Sequence, residues 1–341
     1  MLPQQIPIAD PDEFVRCADK KQNADHGQDI NSTQRTDAAI KESIYQALWN
    51  NSVLRAMEYD GIDVQVNNRV VYLYGHIVNT TSQRLIKNAI QTIPEILTIN
   101  NALILDDQLT NEVAVSLSDL EHTYNCKFFT GVSHGVVSLN GIVRDKNVKT
   151  LAEKTASNNP NVRAVINNVR ITGVKEQLPV QPFLQPMIGE VIYFLDGISG
   201  IVKQVIINPN NRRVVAMTIQ GKFTDPRYKI NSPISGQAQP SEQLVTVPMN
   251  TVRYLTRVSG FLYIHSNERK RYSDFDPTLF FAPGNDWKPP YPYCSGDVLF
   301  PIKYRNAGIQ IPDDPEVFPF GAVMEDSSIR EQFFATDSLG L

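Results

Sequence analysis

The sequence predicts an α+β protein in which two tandem αββαβ modules are followed by a small C-terminal β-barrel. Three observations predict this class. Part of the chain repeats at a fixed offset of 66 residues, each copy switches between helical and strand periodicity, and short apolar runs separated by turn residues follow residue 187. A length of 341 residues is enough for two or three domains.

The repeat aligns residues 54–105 with residues 120–171 without a gap. Two copies are too few for a solenoid, so they indicate a tandem pair of domains. The matched positions include apolar residues, a glycine, a proline and an asparagine: Val66 and Val132, Val71 and Val137, Leu73 and Leu139, Gly75 and Gly141, Pro94 and Pro160, Asn101 and Asn167.

Each copy predicts a helix, a β-hairpin, a second helix and a third strand. In the first copy Ile40, Ile44 and Leu48 recur at helical spacing, and Asn67-Asn68 forms the hairpin turn between alternating strands. The second copy predicts helices near 113–120 and 147–157 and strands near 128–132, 136–143 and 162–171.

Two features of these modules carry structural expectations. Gly75 and Gly141 fall late in the second strand of each copy, where a glycine usually marks a bulge or a close backbone approach, so we expect structural roles. Helices on one face of a three-stranded sheet leave the other face open, and in the first copy that face carries Tyr72 and Tyr74. Exposed aromatic residues there favour contact with another module or subunit, with burial by a neighbouring loop as the alternative.

The third part predicts a small barrel. Hairpins are indicated at Asp196-Gly197 and Asn210-Asn211, and strands resume near residues 244–248 and 251–255 after a polar insertion at 222–243. The predicted organisation is an N-terminal flexible segment 1–35, a first module 36–106, a second module 107–173, a linker 174–187, a barrel 188–266 and an aromatic, proline-rich and acidic tail 267–341.

The tail leaves two alternatives open. Its aromatic residues Trp287, Tyr291 and Tyr293 are interleaved with prolines, which hold extended conformations at low entropic cost and suit a groove on another chain. The alternative is that they fold back over the chain's own barrel, and the density of large aromatics favours this one. Residues 306–341 predict an irregular or partner-ordered end.

The charge is distributed unevenly along the chain. The whole chain has a net charge of −4, which argues against a dedicated nucleic-acid binder. Residues 173–273 nevertheless hold twelve basic and six acidic residues, whereas residues 274–341 hold four basic and eleven acidic ones. We expect a basic surface on the barrel and its exit strand, formed by Arg212, Arg213, Arg253, Arg257, Arg269, Lys270 and Arg271.

Cysteine use and the N-terminus favour a cytoplasmic protein. Cys17, Cys126 and Cys294 are far apart and odd in number, so we expect no disulfide framework and a reducing compartment. The first residues lack the basic start and apolar core of a secretory signal, and no run of eighteen uncharged apolar residues predicts a transmembrane helix. A peripheral position at the inner face of the membrane fits the same features.

No catalytic, metal or cofactor motif is legible. The five histidines show no HxxxH or HExxH spacing, and the chain has no GxGxxG, GxxxxGK[ST] or GxSxG sequence. A catalytic site needs a positioned nucleophile, base and stabiliser, and no such set of three is indicated. We expect no enzyme activity, no metal and no cofactor.

The two repeats resemble the BON domain. The resemblance rests on the strand VVYLYG ending at Gly75 and VVSLNG ending at Gly141, each followed by a helix and by INNAL or INNVR, and it covers about residues 36–172. It implies binding of phospholipid or an envelope surface without catalysis. The chain departs from the family pattern in lacking an export signal.

The third part resembles the PRC-barrel family over about 75 residues. The residues that carry this resemblance are the Asp196-Gly197 to Gly200 hairpin, the Asn210-Asn211 hairpin and Val247-Pro248-Met249 with Val252. The family implies partner binding, on a membrane complex in one branch and on a ribosomal particle in another.

Three functions follow as hypotheses. The first is a non-enzymatic scaffold or accessory subunit, operating alone or in an oligomer, that docks on a membrane-protein complex or an anionic lipid surface. The second is an RNA- or ribosome-associated assembly factor acting through the barrel, and the third is an enzyme with an unfamiliar site. The expected partner- or lipid-binding residues are the seven basic residues above together with Tyr72, Tyr74, Trp287, Tyr291 and Tyr293.

Overall fold

The computed structural model describes residues 32–174, 183–223, 242–256 and 259–302, with side chains from Asp37 onward. Within these residues the chain forms two compact units. The first unit contains the chain up to Phe183, the Asn208–Arg213 loop and residues Ala282–Val298. The second contains Leu184–Ile207, Val214–Phe281 and the chain from Leu299. Most of the 222–243 insertion and residues 306–341 lie outside the described residues.

The first half of unit one, here called module one, has the predicted αββαβ order. Sheet order is β1-β2-β3, with β1 antiparallel and β3 parallel to the central β2. The first helix is interrupted at Asn51, whose side chain accepts hydrogen bonds from the amides of Val53 and Leu54 and caps the short second helix. Its elements are α1 (Ser32–Asn50), α2 (Ser52–Met57), β1 (Ile62–Asn67), β2 (Val70–Ile77), α3 (Thr80–Ile90) and β3 (Thr98–Leu105).

Module two repeats this arrangement. Its sheet order β4-β5-β6 has the same antiparallel and parallel pairings, and both αββ hairpins turn on two residues with positive φ, Asn68-Arg69 in one module and His134-Gly135 in the other. Its elements are α4 (Asp106–Tyr124), β4 (Lys127–Ser133), β5 (Val136–Val143), α5 (Lys146–Ser157) and β6 (Ala164–Ile171). The prediction of two αββαβ modules is confirmed.

The two glycines occupy equivalent strained positions. Gly75 has φ of +115° and Gly141 has φ of +155°, a region that L side chains rarely adopt. A Cβ on Gly75 would lie 2.0 Å from the carbonyl oxygen of Gly61, and one on Gly141 would lie 2.6 Å from that of Lys127. Each glycine therefore permits the hairpin backbones to approach closely, as the sequence predicted.

The first helices follow a different offset from the remainder of the modules. Ile40, Ile44 and Leu48 of α1 have buried counterparts in α4 at an offset of 69 residues, namely Leu109, Val113 and Leu117. Module one therefore holds three more residues between Leu48 and Gly75 than module two holds between Leu117 and Gly141. In module one this stretch contains α2 and a 3₁₀ turn. Each helix pair packs on one face of its own sheet and closes a separate apolar core.

The second unit is a curled, mainly antiparallel sheet. Its main strand order is β11-β12-β7-β8-β9-β10-β13, and β15 pairs with both β14 and β8. Phe194, Phe223 and Tyr272 form an aromatic cluster with ring centroids 5.4–6.4 Å apart. The strands are β7 (Val191–Tyr193), β8 (Ser199–Ile207), β9 (Val214–Gly221), β10 (Gln243–Pro248), β11 (Val252–Leu255), β12 (Ser259–Leu262), β13 (Ser273–Asp274), β14 (Phe280–Phe281) and β15 (Val298–Pro301). This barrel-like sheet confirms the predicted C-terminal architecture.

The cysteines depart from the expectation. Cys126 is a free thiol, but Cys294 is disulfide-bonded, so its partner lies outside the described residues. The expectation of no disulfide is wrong, and cysteine use no longer supports a reducing compartment. Among the described helices, none is both long enough and apolar enough to cross a membrane.

Candidate binding surfaces

The sheet face of module one that carries the two tyrosines is covered. Tyr74 is 4% exposed, Tyr72 is half-buried, and their rings stack with centroids 6.4 Å apart. Further along this face, His76 is buried and meets the ring of Tyr291 at a centroid distance of 6.4 Å. Of the two alternatives, burial holds at Tyr74, although the residue that reaches this face, Tyr291, is distant in sequence and not in a neighbouring loop.

A buried carboxylate joins the start of module two to its hairpin. Asp106, the first residue of α4, accepts hydrogen bonds from the amides of His134 at 2.5 Å and Gly135 at 2.9 Å. Its Oδ1 also lies 3.4 Å from Nδ1 of His76. Burial lowers the pKa of His76, which the Asp106 carboxylate opposes, so the ring is neutral near pH 7. This cluster ties the hairpin of module two to the central strand of module one.

Arg163 links the segment that contains Tyr291 and Tyr293 to the hairpin of module two. Its Nη1 donates to the carbonyl of His134 at 3.0 Å, and its Nε donates to the carbonyl of Tyr291 at 3.1 Å. The guanidinium lies over the rings of Phe183 and Tyr291 at 5.5 and 5.6 Å from their centroids. Burial lowers the pKa of Arg163, while the neighbouring Tyr291, Tyr293 and Asp106 oppose this. The same segment carries Tyr293, which is 0% exposed, so this part of the tail packs within unit one. The expectation that it folds back over the barrel is therefore wrong.

Arg212 is a buried anchor and not part of an exposed basic surface. It is 2% exposed, and its Nη2 donates to the carbonyl oxygens of Lys288 at 2.6 Å and Pro160 at 3.3 Å. Its guanidinium lies 4.8 Å from the ring centroid of Trp287, a half-buried side chain. Burial lowers the pKa of Arg212 to about 10, so the group stays protonated at pH 7. The expectation that Arg212 contributes to a solvent-facing patch is wrong.

The Asn208–Arg213 loop also contacts the outer edge of module two. The carbonyl of Asn211 accepts a hydrogen bond of 2.8 Å from the amide of Val165 in the edge strand β6. Arg213 is half-buried, and although burial lowers its pKa, the charge of Glu153 in α5 opposes that shift. The charge of Arg213 is therefore favoured by an acidic side chain of its own unit.

Of the other basic residues predicted to form a surface, some are exposed and some form ion pairs with acidic side chains. Arg253 is exposed, 5.8 Å from the ring centroid of Tyr263, and Lys270 is exposed as well. Arg269 pairs with Asp274 at 3.1 Å, and Arg271 lies 3.5 Å from Glu268. Arg257 lies outside the described residues. The expected basic surface is thus reduced, among the described residues, to Arg253 and Lys270.

An open sheet face does exist, but in module two. Phe129 is 66% exposed and Ile142 is 55% exposed, although both lie in strands. The strand registers place Lys127, Ile142 and Arg170 in one row across the three strands, with both cations exposed. The next row holds Phe129 beside Asn140. This face, defined by Lys127, Phe129, Asn140, Ile142 and Arg170 and here called the open face, combines apolar side chains with positive charge.

Module one carries a groove of about 680 Å³ between α3 and the edge strand β3. Its floor is apolar, and Arg84 and Lys87 of α3 are exposed beside it. None of the described residues that line it is acidic. The lining comprises Leu73, Thr80, Gln83, Arg84, Ile86, Lys87, Ile90, Gln91, Ile93, Ile96, Leu97, Thr98, Ile99, Asn101 and Leu103.

Reasoning from the sequence missed the open face, the groove and the anchoring roles of Asp106 and Arg163. A signal for the groove was present in the repeat, because Lys87 aligns with Glu153 at the offset of 66, a reversal of charge in otherwise similar helices. Arg163 likewise aligns with Leu97. Comparing the copies position by position for differences, rather than for matches, would have found both.

Two observations on the described residues concern metal binding and acid–base chemistry. Among the described residues no group of three His, Cys, Asp or Glu side chains could hold a metal ion. The histidine and carboxylate that lie closest together, His76 and Asp106, are 1% and 4% exposed, so a substrate cannot reach them in this structure.

Comparison with known proteins points to one family. The BON domain model matches residues 36–107 and 131–173, which include module one and the hairpin turn, β5, α5 and β6 of module two. A search among curated proteins gives no match. The chain is therefore similar to the BON domain over part of its length.

Two solved structures of CdsD, a structural protein of the type III secretion system of Chlamydia trachomatis, are also similar to the chain. One has 17% identity and a TM-score of 0.34, over 41% of this chain and 65% of that one. The other, the C-terminal domain, has 16% identity and a TM-score of 0.33, over 40% of this chain and 66% of that one. The chain covers less than two thirds of either structure, and scores of this size carry no inference about its function.

Proposed function

We propose that this chain is a non-enzymatic binding protein that docks at an anionic membrane surface through the open face of module two. The observation that carries the proposal is the row Lys127, Ile142 and Arg170 with Phe129 beside it. Exposed apolar residues flanked by cations suit the boundary between lipid headgroups and acyl chains, because the apolar side chains can leave water while the cations stay near anionic headgroups. The match to the BON domain supports a membrane-associated binding role.

The chemistry of the open face suits a shallow contact. Phe129 and Ile142 would leave water for the acyl boundary, while the charges of Lys127 and Arg170 would remain among lipid phosphates. Each cation near an anionic surface contributes about 1 kcal/mol, and burial of the two apolar side chains adds about 1.5–3 kcal/mol each when it is complete. Reversible binding that weakens with added salt follows from these magnitudes.

We also propose that the two modules form a tandem pair of BON domains. Their common strand order, positive-φ turns and equivalent glycines support this. The curled sheet of the second unit is proposed to be a PRC-barrel-like module that contacts a protein partner. Its exposed Arg253 and Lys270 are the candidate residues for that contact. A cytoplasmic location and the identity of that partner stay predictions. No described surface favours the RNA-associated or the enzymatic alternative.

The test is cosedimentation of the full chain with vesicles. Vesicles with 30% phosphatidylglycerol should retain the protein, and vesicles of phosphatidylcholine alone should not. A Lys127→Glu/Arg170→Glu variant should lose at least tenfold in affinity, since two attractive charges become repulsive. The control variant Lys41→Glu/Lys222→Glu makes the same charge change at exposed sites elsewhere and should bind normally. Equal retention of both double variants would overturn the proposal.

A further inference from the structure

The edge of module two shows how this fold engages a polypeptide segment. Two hydrogen bonds of the Asn208–Arg213 loop define the mode: the Val165 amide donates to the carbonyl of Asn211, and Arg212 donates to the carbonyl of Pro160. The charge of Glu153 also favours the protonated form of Arg213. The hydrogen bonds involve the edge strand and the turn before it, and Glu153 belongs to the second helix of the module.

The same three positions exist in module one. At the offset of 66, Val165 corresponds to Ile99, Pro160 to Pro94 and Glu153 to Lys87. Ile99 and Lys87 both line the 680 Å³ groove, and the turn at Pro94 lies between two further lining residues, Ile93 and Ile96. The groove is therefore the counterpart of the edge that the loop engages in module two.

The backbone of the edge strand points to a polypeptide ligand. Val71 and Ile99 pair in the register of Val137 and Val165, so the Ile99 amide faces the outer edge as the Val165 amide does. In the described chain Ile99 makes no backbone hydrogen bond outside its own sheet. An exposed strand edge of this kind is a template for hydrogen bonding by another polypeptide.

The charge of the groove defines the ligand further. In module two the charge of Glu153 favours the protonated form of Arg213, but Lys87 stands in the place of Glu153 in module one, and Arg84 adds a second exposed cation. No acidic residue is among the described lining residues. The floor is also more apolar, because Ile93 and Leu97 stand where module two has Asn159 and Arg163.

We propose that this groove binds an acidic turn or extended segment of a partner protein. The segment's backbone carbonyl accepts from Ile99, its Asp or Glu side chain pairs with Lys87, and an apolar side chain packs on Ile93 and Leu97. The Asn208–Arg213 loop of the chain itself is the geometric model for this ligand, with its charge reversed. This site is separate from the open face of module two and does not depend on it.

The experiment uses the full chain and a pair of cyclic peptides copying residues 207–214. One keeps the native sequence and the other carries Arg213→Glu. NMR titration detects weak complexes and locates them, so both affinity and site are measured. The acidic peptide should shift the amide of Ile99 and bind at least tenfold more tightly than the native one, because its glutamate meets Lys87 while the native arginine is repelled.

Charge reversal on the protein supplies the control. Lys87→Glu should invert the preference so that the native, basic peptide binds more tightly, whereas Lys41→Glu, an equal charge change on the exposed surface of α1, should leave it unaltered. Equal binding of the two peptides, no shift at Ile99, or a shift produced there by phosphatidylglycerol vesicles and not by the acidic peptide would each overturn the proposal. Vesicle binding at the open face would be unaffected in every case.

Discussion

At the scale of single residues, the polar groups that define this molecule are buried. Arg212 and Arg163 donate to backbone carbonyls, and Asp106 accepts from two backbone amides. Such groups are costly to leave unpaired, so each fixes the segment that pairs with it. Arg212 was predicted to lie on the surface, because its partners are 52 and 76 residues away in the chain and no local pattern indicates them.

Gly75 offers the clearest prediction at this scale. Replacing Gly75 with Val should lower the free energy of unfolding by about 1–3 kcal/mol, because a side chain would meet the Gly61 carbonyl in a backbone region that valine avoids. In a Trp287→Phe background, Trp49 is the sole tryptophan and reports on module one by fluorescence during urea unfolding. Gly131→Ala, where a Cβ meets nothing within 4 Å, is the control and should change little. A Gly75→Val variant as stable as that control would contradict the argument.

His76 predicts a dependence of stability on pH. Because burial holds its folded-state pKa below the ordinary value of 6.5, the unfolded chain binds a proton that the folded chain refuses. Its contribution to stability is therefore fully present above about pH 6.5 and is lost as the pH falls below that value, by at most about 1.4 kcal/mol per pH unit. His76→Gln should flatten the plot of unfolding free energy against pH between 6.5 and 5, while exposed His122→Gln should not. Parallel plots for His76→Gln and the unaltered chain would refute this role.

At the scale of elements, much of the fold could be predicted because the repeat presents the same sequence pattern twice. Helices, strands and the two glycines were predicted in order. The first hairpin turn was predicted one residue too early, at Asn67-Asn68, since the turn residues with positive φ are Asn68 and Arg69. The offset of 69 between the first helices, against 66 for the remaining elements, was not predicted. The additional residues of module one lie where α2 and a 3₁₀ turn form, and they do not disturb the apolar periodicity. The open face was assigned to the wrong module, because residues 282–298, which lie in the same unit, could not be placed from local pattern.

The helix–hairpin tether gives a prediction for this scale. Asp37 of α1 accepts from the amides of Asn68 and Arg69 as Asp106 of α4 accepts from His134 and Gly135. The first tether is solvent-exposed and the second is buried. Asp106→Ala should therefore cost about 1–3 kcal/mol, and Asp37→Ala distinctly less.

Amide hydrogen exchange would measure these tethers directly. Asp106→Ala should accelerate exchange at Gly135 and leave Arg69 unaltered, and Asp37→Ala should do the reverse. Equal stability losses in the two variants, or acceleration at both hairpins from either one, would show that the tethers are not local.

At the scale of the whole molecule, two described surfaces suit the proposed binding role. Module two presents an amphipathic basic face, and module one presents an apolar groove with cations beside it. The second unit adds exposed Arg253 and Lys270. The sequence predicted a binding role from the absence of catalytic motifs, but the surfaces themselves depend on strand register and on which faces the rest of the chain covers.

The most direct measurement places a single tryptophan at the centre of the open face. In a Trp49→Phe/Trp287→Phe background, a chain with Phe129→Trp is mixed with phosphatidylglycerol vesicles and its emission is recorded. A companion chain carries Val115→Trp, on an exposed position of α4. We expect a blue shift for the tryptophan at position 129, none at position 115, and loss of the shift at high salt or in phosphatidylcholine vesicles. An unshifted spectrum at position 129, or equal shifts at both positions, would contradict it.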